Sequence, residues 1–249
     1  MNGSDRSSQL YLDLMVKVLI NTIYKDGNTN PRRDAAYDGE LRQEGRDWPA
    51  VAHSMIGLRR MQNLRALTEM ALARNIPGDF LEAGVWRGGA AIMMRAVLQA
   101  FDVRDRMVFC CDSYEGLPQP DAERYPADKD DKHHTVKNLV VSLEEVQQNF
   151  ERYGLLDEQV IFVKGFFRDT LRHIPSDRFA LIRLDGDMYE STIQCLEELY
   201  PKLSTGGFVI IDDFGAVPGC RTAVEDYRSS EKIFSPLQRI DWTGIWWQK

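Results

Sequence analysis

The chain predicts an α/β fold: a mostly parallel sheet with helices on both faces, preceded by an N-terminal helical extension and interrupted by a lid insertion. Three observations carry this. From residue 79 onward short apolar runs alternate with segments of helical spacing, the pattern of successive βαβ units. The first run ends in a glycine-bearing turn, "LEAGVWRGGAA" (81–91). Later runs spill into carboxylates, at Asp112, Asp185, Asp187, Asp212 and Asp213, and a parallel sheet gathers such strand ends along one edge.

Taken in order, "LYLDLMVKVLINTIY" (10–24) spaces its apolar residues as an amphipathic helix and leads into a polar arm, so residues 1–53 form a helix-and-arm segment. The apolar face of that helix must pack on the domain or on a second subunit. "SMIGLRRMQNLRALTEMALARNI" (54–76) is a longer helical pattern, stopped by Pro77-Gly78. "DFLEAG", "MVFCCDS", "QVIFVKG", "FALIRLDGD" and "GFVIIDDFG" then read as strands, with "AAIMMRAVLQAF", "SLEEVQQNFERYG" and "STIQCLEELYPKL" as helices between them. The tail, "LQRIDWTGIWWQK", reads as strand, turn at Thr243-Gly244 and strand, antiparallel at the sheet edge. That makes seven strands. The polar, proline-bearing stretch 114–142 is long for a connection inside a compact domain, and such stretches are functional lids or disordered. Its place at the ligand-binding edge favours a lid. The whole chain, 1–249, is read as one domain.

With 249 residues, 43% hydrophobic and 28% charged, the composition is that of an ordinary globular protein. A net charge of −7 gives no basic footprint for a nucleic-acid partner. No apolar stretch approaches the roughly 18 residues of a membrane span, and "MNGSDRSSQ" lacks signal-peptide character, so no membrane partner and a cytoplasmic location are expected. Cys110, Cys111, Cys195 and Cys220 lack zinc or CxxC spacing and read as reduced thiols.

The glycine turn at Gly84, Gly88 and Gly89 permits close backbone approach to a ligand, and free amides at the following helix start suit an anion. A plain tight strand-to-helix turn reads the same way. Asp112, closing the second strand, is placed to accept hydrogen bonds from a ribose diol, and Gly165 and Phe166 after the third strand line an adenine slot. The three strand ends point to one adenosine-containing ligand.

Asp185 and Asp212 stand 27 residues apart, about one βαβ crossover. Their carboxylates, with that of Asp213, therefore converge on one sheet edge. Like charges about 4 Å apart repel by about 4 kcal/mol at an effective dielectric near 20, so a divalent cation is the natural neutraliser, and an all-oxygen set favours Mg²⁺. Asp185 is the expected proton acceptor for a hydroxyl held there. Asp187 caps the following helix or joins the cluster. His133 and His134, in the lid, are solvated or serve as a base. Trp242, Trp246 and Trp247 stack on a substrate ring or fill core, with at least one of them core.

The strings "GRDWPAVAHSMIG", "GVWRGGA", "NFERYGLLD", "RLDGDMYEST", "GGFVIIDDFG" and "DWTGIWW" together resemble the macrocin O-methyltransferase family, within the Rossmann-like class I S-adenosylmethionine-dependent methyltransferases. The resemblance implies methylation of a deoxysugar hydroxyl in a glycosylated natural product, such as a macrolide or aminocoumarin antibiotic, with S-adenosylmethionine and Mg²⁺ as cofactors. It further implies that Glu82 and Gly84 cradle the methionine end of the cofactor, that Asp112 and Ser113 bind its ribose side, and that Met55 and Ile56 close over it. The metal falls to Asp185, Asp212 and Asp213. A small-molecule glycoside and a second copy of the chain, as homodimer or higher oligomer, are the expected partners. "DGD" also admits a metal-dependent glycosyltransferase, the metal logic a catechol-type phenolic methyltransferase, and the fold alone a non-catalytic binding protein.

Overall fold

A computed structural model describes residues 3–31 and 33–249; Met1, Asn2 and Arg32 of the helix-and-arm segment lie outside them. Helix α1 (Gly3–Leu19) begins earlier and stops sooner than its apolar spacing predicts. It stops because Asn21 and Lys25 turn the chain through left-handed conformations. The arm carries a short helix, α2 (Gly39–Glu44), and α3 (Gly57–Ala73) follows. The sheet region then runs β1 (Asp79–Ala83), α4 (Gly89–Ala100), β2 (Val108–Asp112), α5 (Leu143–Arg152), β3 (Val160–Lys164) and α6 (Phe167–Thr170). It ends with β4 (Phe179–Leu184), α7 (Tyr189–Leu199), β5 (Leu203–Ile211), α8 (Pro218–Ser230), β6 (Gln238–Arg239) and β7 (Ile245–Gln248).

The seven strands form one sheet in the order β3-β2-β1-β4-β5-β7-β6. The first five are parallel, and β7 lies antiparallel to β5 and β6. The tail hairpin is thus antiparallel as its sequence suggests, with β7 paired inside and the two-residue β6 on the edge. Successive side chains on a strand point to opposite faces, and the core divides accordingly. Phe80, Val108 and Cys110 pack with α1, α3 and α4, whereas Leu81, Phe109 and Cys111 pack with α7 and α8. The adjacent cysteines therefore face away from each other, and all four thiols are free and buried.

The apolar face of α1 packs on the same chain: Leu12, Met15, Val16 and Leu19 join the α3–α4 core, while Leu10 and Leu14 stay exposed. The polar arm is organised around the buried Arg42, whose guanidinium pairs with Asp26 and Asp47, each at 2.7 Å, and donates to the Ile20 carbonyl at 2.9 Å. A buried guanidinium demands such partners. Residues 114–142 form short 3₁₀ turns at Pro126–Asp128, His133–Thr135 and Lys137–Leu139 rather than one helix. Among the described residues no helix is long and apolar enough to cross a membrane.

Trp247 is fully buried in β7, its ring centroid 6.2 Å from that of Tyr200. Trp247→Ala should lower unfolding free energy by about 3–5 kcal/mol, read from a urea titration. A loss below about 1 kcal/mol would show that this corner can collapse around the gap.

Candidate active site

Strand register decides which side chains meet. Glu82 of β1 lies directly opposite Arg183 of β4, and Leu184 lies opposite Ile211 of β5. Asp185 and Asp212, the next residues, therefore leave neighbouring strands side by side. Oxygens of Asp185, Asp212 and Asp213 lie within 4.8 Å of one another, so the predicted convergence holds.

The cluster is not bare, as its sequence alone suggests. Arg183, buried in β4, donates to Glu82 Oε1 at 2.6 Å, to Asp185 Oδ2 at 2.8 Å, and to Asp212 Oδ1. Arg60 of α3 donates to the other Asp212 oxygen, to Asp241 Oδ2 at 3.0 Å, and to the Gly45 carbonyl at 3.1 Å. Two guanidiniums thus face six carboxylates: Glu82, Asp185, Asp187, Asp212, Asp213 and Asp241. Acidic groups outnumber guanidiniums in this cluster. Burial, then Asp187, Asp185 and Asp212, push the Asp213 carboxyl well above the usual range, and Asp213 Oδ2 has no hydrogen-bond partner. An unpartnered buried oxygen in an all-carboxylate set fits a hard divalent cation.

Arg183 escaped the sequence reading although it sits inside "LIRLDGD"; a charge in the middle of an otherwise apolar strand is the signal that could have found it. Arg60 has no such mark, since Arg59 stands beside it and only the structure shows which is buried.

Asp187 does not cap α7. The cap position is Met188, which offers no side-chain hydrogen bond, and Asp187 itself holds a left-handed φ of 57°. Asp128 of the 114–142 segment caps the helix instead, accepting from the Tyr189 amide at 2.7 Å and the Glu190 amide at 2.8 Å. Freed from that task, Asp187 faces His133, whose Nε2 lies 4.0 Å from its Oδ1 while Nδ1 lies 2.6 Å from Asp131 Oδ2. Burial pushes the Asp187 carboxyl up to about 7, against the pull of His133. Burial lowers the His133 pKa, but Asp187 and Asp131 outweigh it and the net shift is upward. His133 lines the cavity; His134 does not.

These groups line a cavity of about 730 Å³ that continues along the carboxyl ends of β1 and β2. Gly84 has φ 87°, and a Cβ there would stand 1.8 Å from the Asp185 carbonyl oxygen, so glycine is required where β1 and β4 diverge. Asp112 accepts from the Val85 amide at 2.6 Å and the Tyr114 amide at 2.8 Å, bracing the glycine turn while lining the cavity. Met55, Ile56, Glu82, Ser113 and Phe166 line it too. Gly165 is not among the lining residues; its amide donates to the Asp112 carbonyl at 2.9 Å. Burial raises the Glu82 carboxyl to about 8, with Arg183 opposing, and Glu82 Oε2 is unpartnered.

Of the tryptophans, Trp247 is core, Trp246 packs on Phe208 with centroids 5.8 Å apart, and Trp242 reaches the cavity. Trp48 and Trp86 line it as well. The sequence reading also passed over His53, whose Nδ1 lies 2.7 Å from the Tyr153 hydroxyl and whose carbonyl accepts from the Gly89 amide at 2.9 Å.

A parallel sheet whose glycine turn and acidic strand ends share one cavity defines a class I methyltransferase architecture. The sequence model of the macrocin-O-methyltransferase (TylF) family matches residues 27–249, and the chain belongs to that family. It is an O-methyltransferase, and the family implies S-adenosylmethionine as methyl donor. The glycosyltransferase and non-catalytic readings of the sequence fall with that assignment.

The chain is similar to demethyldecarbamoylnovobiocin O-methyltransferase of Streptomyces niveus, with 48% identity over 99% of this chain and 95% of that one. It is similar to the 8-demethyl-8-(2,3-dimethoxy-alpha-L-rhamnosyl)-tetracenomycin-C 4'-O-methyltransferase of Streptomyces olivaceus, with 51% identity over 98% and 94%. With mycinamicin III 3''-O-methyltransferase of Micromonospora griseorubida it shares 45% identity over 97% and 96%. Among solved structures, the O-methyltransferase NovP superposes with a TM-score of 0.92 at 50% identity, over 97% of this chain and 99% of that one.

Two predictions test the geometry. Arg183→Met removes the partner of three carboxylates, two of them buried, and should cost about 3–5 kcal/mol of unfolding free energy; a loss within about 0.5 kcal/mol in a urea titration would show that the acids do not depend on it. Burial, then Arg152 and Arg87, push the His53 pKa down from 6.5 to about 4. The unfolded chain therefore binds that proton at higher pH than the folded one. The contribution is complete above about pH 6.5 and is lost as pH falls toward about 4. Across this window wild type should lose stability more steeply than His53→Gln. Parallel curves would show that His53 titrates normally.

Proposed function

We propose that the chain transfers the methyl group of S-adenosylmethionine to a sugar hydroxyl of a glycosylated natural product, with a divalent cation, Mg²⁺ by its ligand chemistry, held by Asp185, Asp212 and Asp213. The observation that carries it is the convergence of these three carboxylates beside the glycine turn, at the negative end of a cavity large enough for cofactor and acceptor together. The activities named for the three relatives, two of which specify a sugar position or a rhamnosyl group, support the acceptor class. The cavity walls agree: Trp48 and Trp242 offer flat apolar faces of the kind that stack on sugar rings, beside polar groups for hydroxyls.

Each residue takes a role from its partners. Asp185 Oδ2 and both Asp212 oxygens are engaged by guanidinium groups, which holds these carboxylates in place for a cation. A cation bound there supplies Lewis-acid polarisation of an acceptor hydroxyl. The proton is better assigned to Asp187 than to Asp185, because among the described residues no guanidinium pairs with Asp187 and its side chain lines the cavity. Asp131 orients His133 toward Asp187, ready to stabilise the charge left on that side of the site. Glu82 Oε2 offers an acceptor for the cofactor's ammonium group, and Asp112, held by the Val85 and Tyr114 amides, lines the cavity on the side assigned to the ribose. Gly84 and Gly89 line the cavity, and their lack of a side chain lets the carbonyls of Asp185 and His53 pack directly against the turn that would receive the cofactor.

Purified protein should bind S-adenosylhomocysteine saturably by calorimetry, and should methylate a probe glycoside such as demethyldecarbamoylnovobiocin only when Mg²⁺ is present, with EDTA abolishing turnover. Asp187→Asn should lower kcat by about 10²–10⁴-fold and leave S-adenosylhomocysteine affinity unchanged. Full turnover in EDTA would remove the metal; undiminished turnover in Asp187→Asn would return the proton to Asp185.

A further inference from the structure

The lid carries a residue that the chemistry above does not use. Asp128 is 1% exposed, unusual burial for an aspartate on a polar surface segment. Its two oxygens accept separately from the amides of Tyr189 and Glu190, the first residues of α7, more than 60 positions further along the chain. A helix start leaves several amides without partners, and α7 supplies none of its own capping, since Met188 at the cap position is apolar. The fit is close on the far side as well. A Cβ at Gly219, in the first turn of α8, would stand 2.7 Å from Asp128 Oδ1.

We propose that Asp128 is a positioning residue for methyl transfer: by capping α7 from the lid, it makes the arrangement of the 185–190 turn, and so of Asp187, depend on the lid being closed. Three connections tie this together. The Asp131 amide bonds the Asp128 carbonyl at 2.9 Å, so the turn that presents Asp131 and His133 is continuous with the capping residue. His133 meets Asp187 at one end of the 187–190 turn, and Asp128 meets the amides at the other. Between them Asp187 holds its left-handed backbone and Met188 is fully buried, a conformation that a non-glycine residue keeps only where its surroundings fix it. Opening the lid withdraws the cap and the histidine at once. Closure over the acceptor thereby also assembles the site.

The inference rests on the proposed function for its consequence, though not for its geometry. Its test uses the full chain with S-adenosylhomocysteine, Mg²⁺ and trypsin, for which Lys129, Lys132 and Lys137 are exposed lid targets. Asp128→Ala should bind S-adenosylhomocysteine within about twofold of wild type, be cut in the lid about tenfold faster, and show kcat on demethyldecarbamoylnovobiocin reduced about tenfold or more, with the KM for S-adenosylmethionine unchanged. A residue that only stabilised the fold would lower melting temperature without this split between kcat and KM. Asp128→Asn keeps one acceptor for two amides and should fall between the two; it carries the same test should the alanine variant not fold. Equal lid cleavage and equal kcat in wild type and variants overturn the proposal. Absence of S-adenosylhomocysteine binding by wild type would defeat the functional reading instead, and the lid-cleavage rates would still decide the role of Asp128.

Discussion

A guanidinium in the middle of a parallel sheet is the constraint from which the site follows. Arg183 is surrounded by β1, β4 and β5 with almost no exposure, and a charge so placed is tolerable only when paired and hydrogen-bonded. Its partners come one from each of those strands or their ends: Glu82, Asp185 and Asp212. A strand slipped by one residue would turn Arg183 to the opposite face, where the packing of Phe109, Ile182 and Val209 is apolar. The arginine thus helps specify register, and the register places the acids.

The same pairing leaves the site under-neutralised. Arg60 reaches in from α3, whose start lies beside the cavity-lining Met55 and Ile56, and links that helix to Asp212 and Asp241. Even so, the carboxylates outnumber the guanidiniums, and among the described residues Asp213 is left with a buried oxygen that has no hydrogen-bond partner. Further arginines would collapse the cluster into a structural salt-bridge network. Stopping at two leaves the cavity side open to the proposed cation, with the three carboxylates braced from behind.

Much of this was legible in the sequence because it depends on local pattern. Alternating apolar runs specify the strands, the glycines mark the turn at Gly84, and the spacing of one crossover places Asp185 beside Asp212. What the pattern could not show depends on distant partners. Asp187 reads as a helix cap because Asp is a good one and a helix follows; the cap comes from Asp128, and no local signal announces a carboxylate borrowed from a lid. Gly165 reads as a ligand residue because it ends a strand, whereas its amide serves the backbone of the neighbouring strand. The apolar face of α1 left two outcomes open, and packing on α3 and α4 answers for Leu12 and Val16 while saying nothing of Leu10 and Leu14, which stay exposed.

The borrowed cap also explains how one short sequence, "DGDMY", holds two acids with different tasks. Asp185 lies on the strand side of Gly186 and is bound to Arg183, a partner that never gives up its charge. Asp187 lies on the helix side with a left-handed backbone, and its cationic neighbour among the described residues is a histidine. A helix that used Asp187 as its cap would tie those oxygens to its own amides and leave Asp187 unable to take the proton. By taking the capping from Asp128, the fold releases Asp187 from the helix. The lid is then more than a cover, since the group it frees is the one the proposed reaction requires.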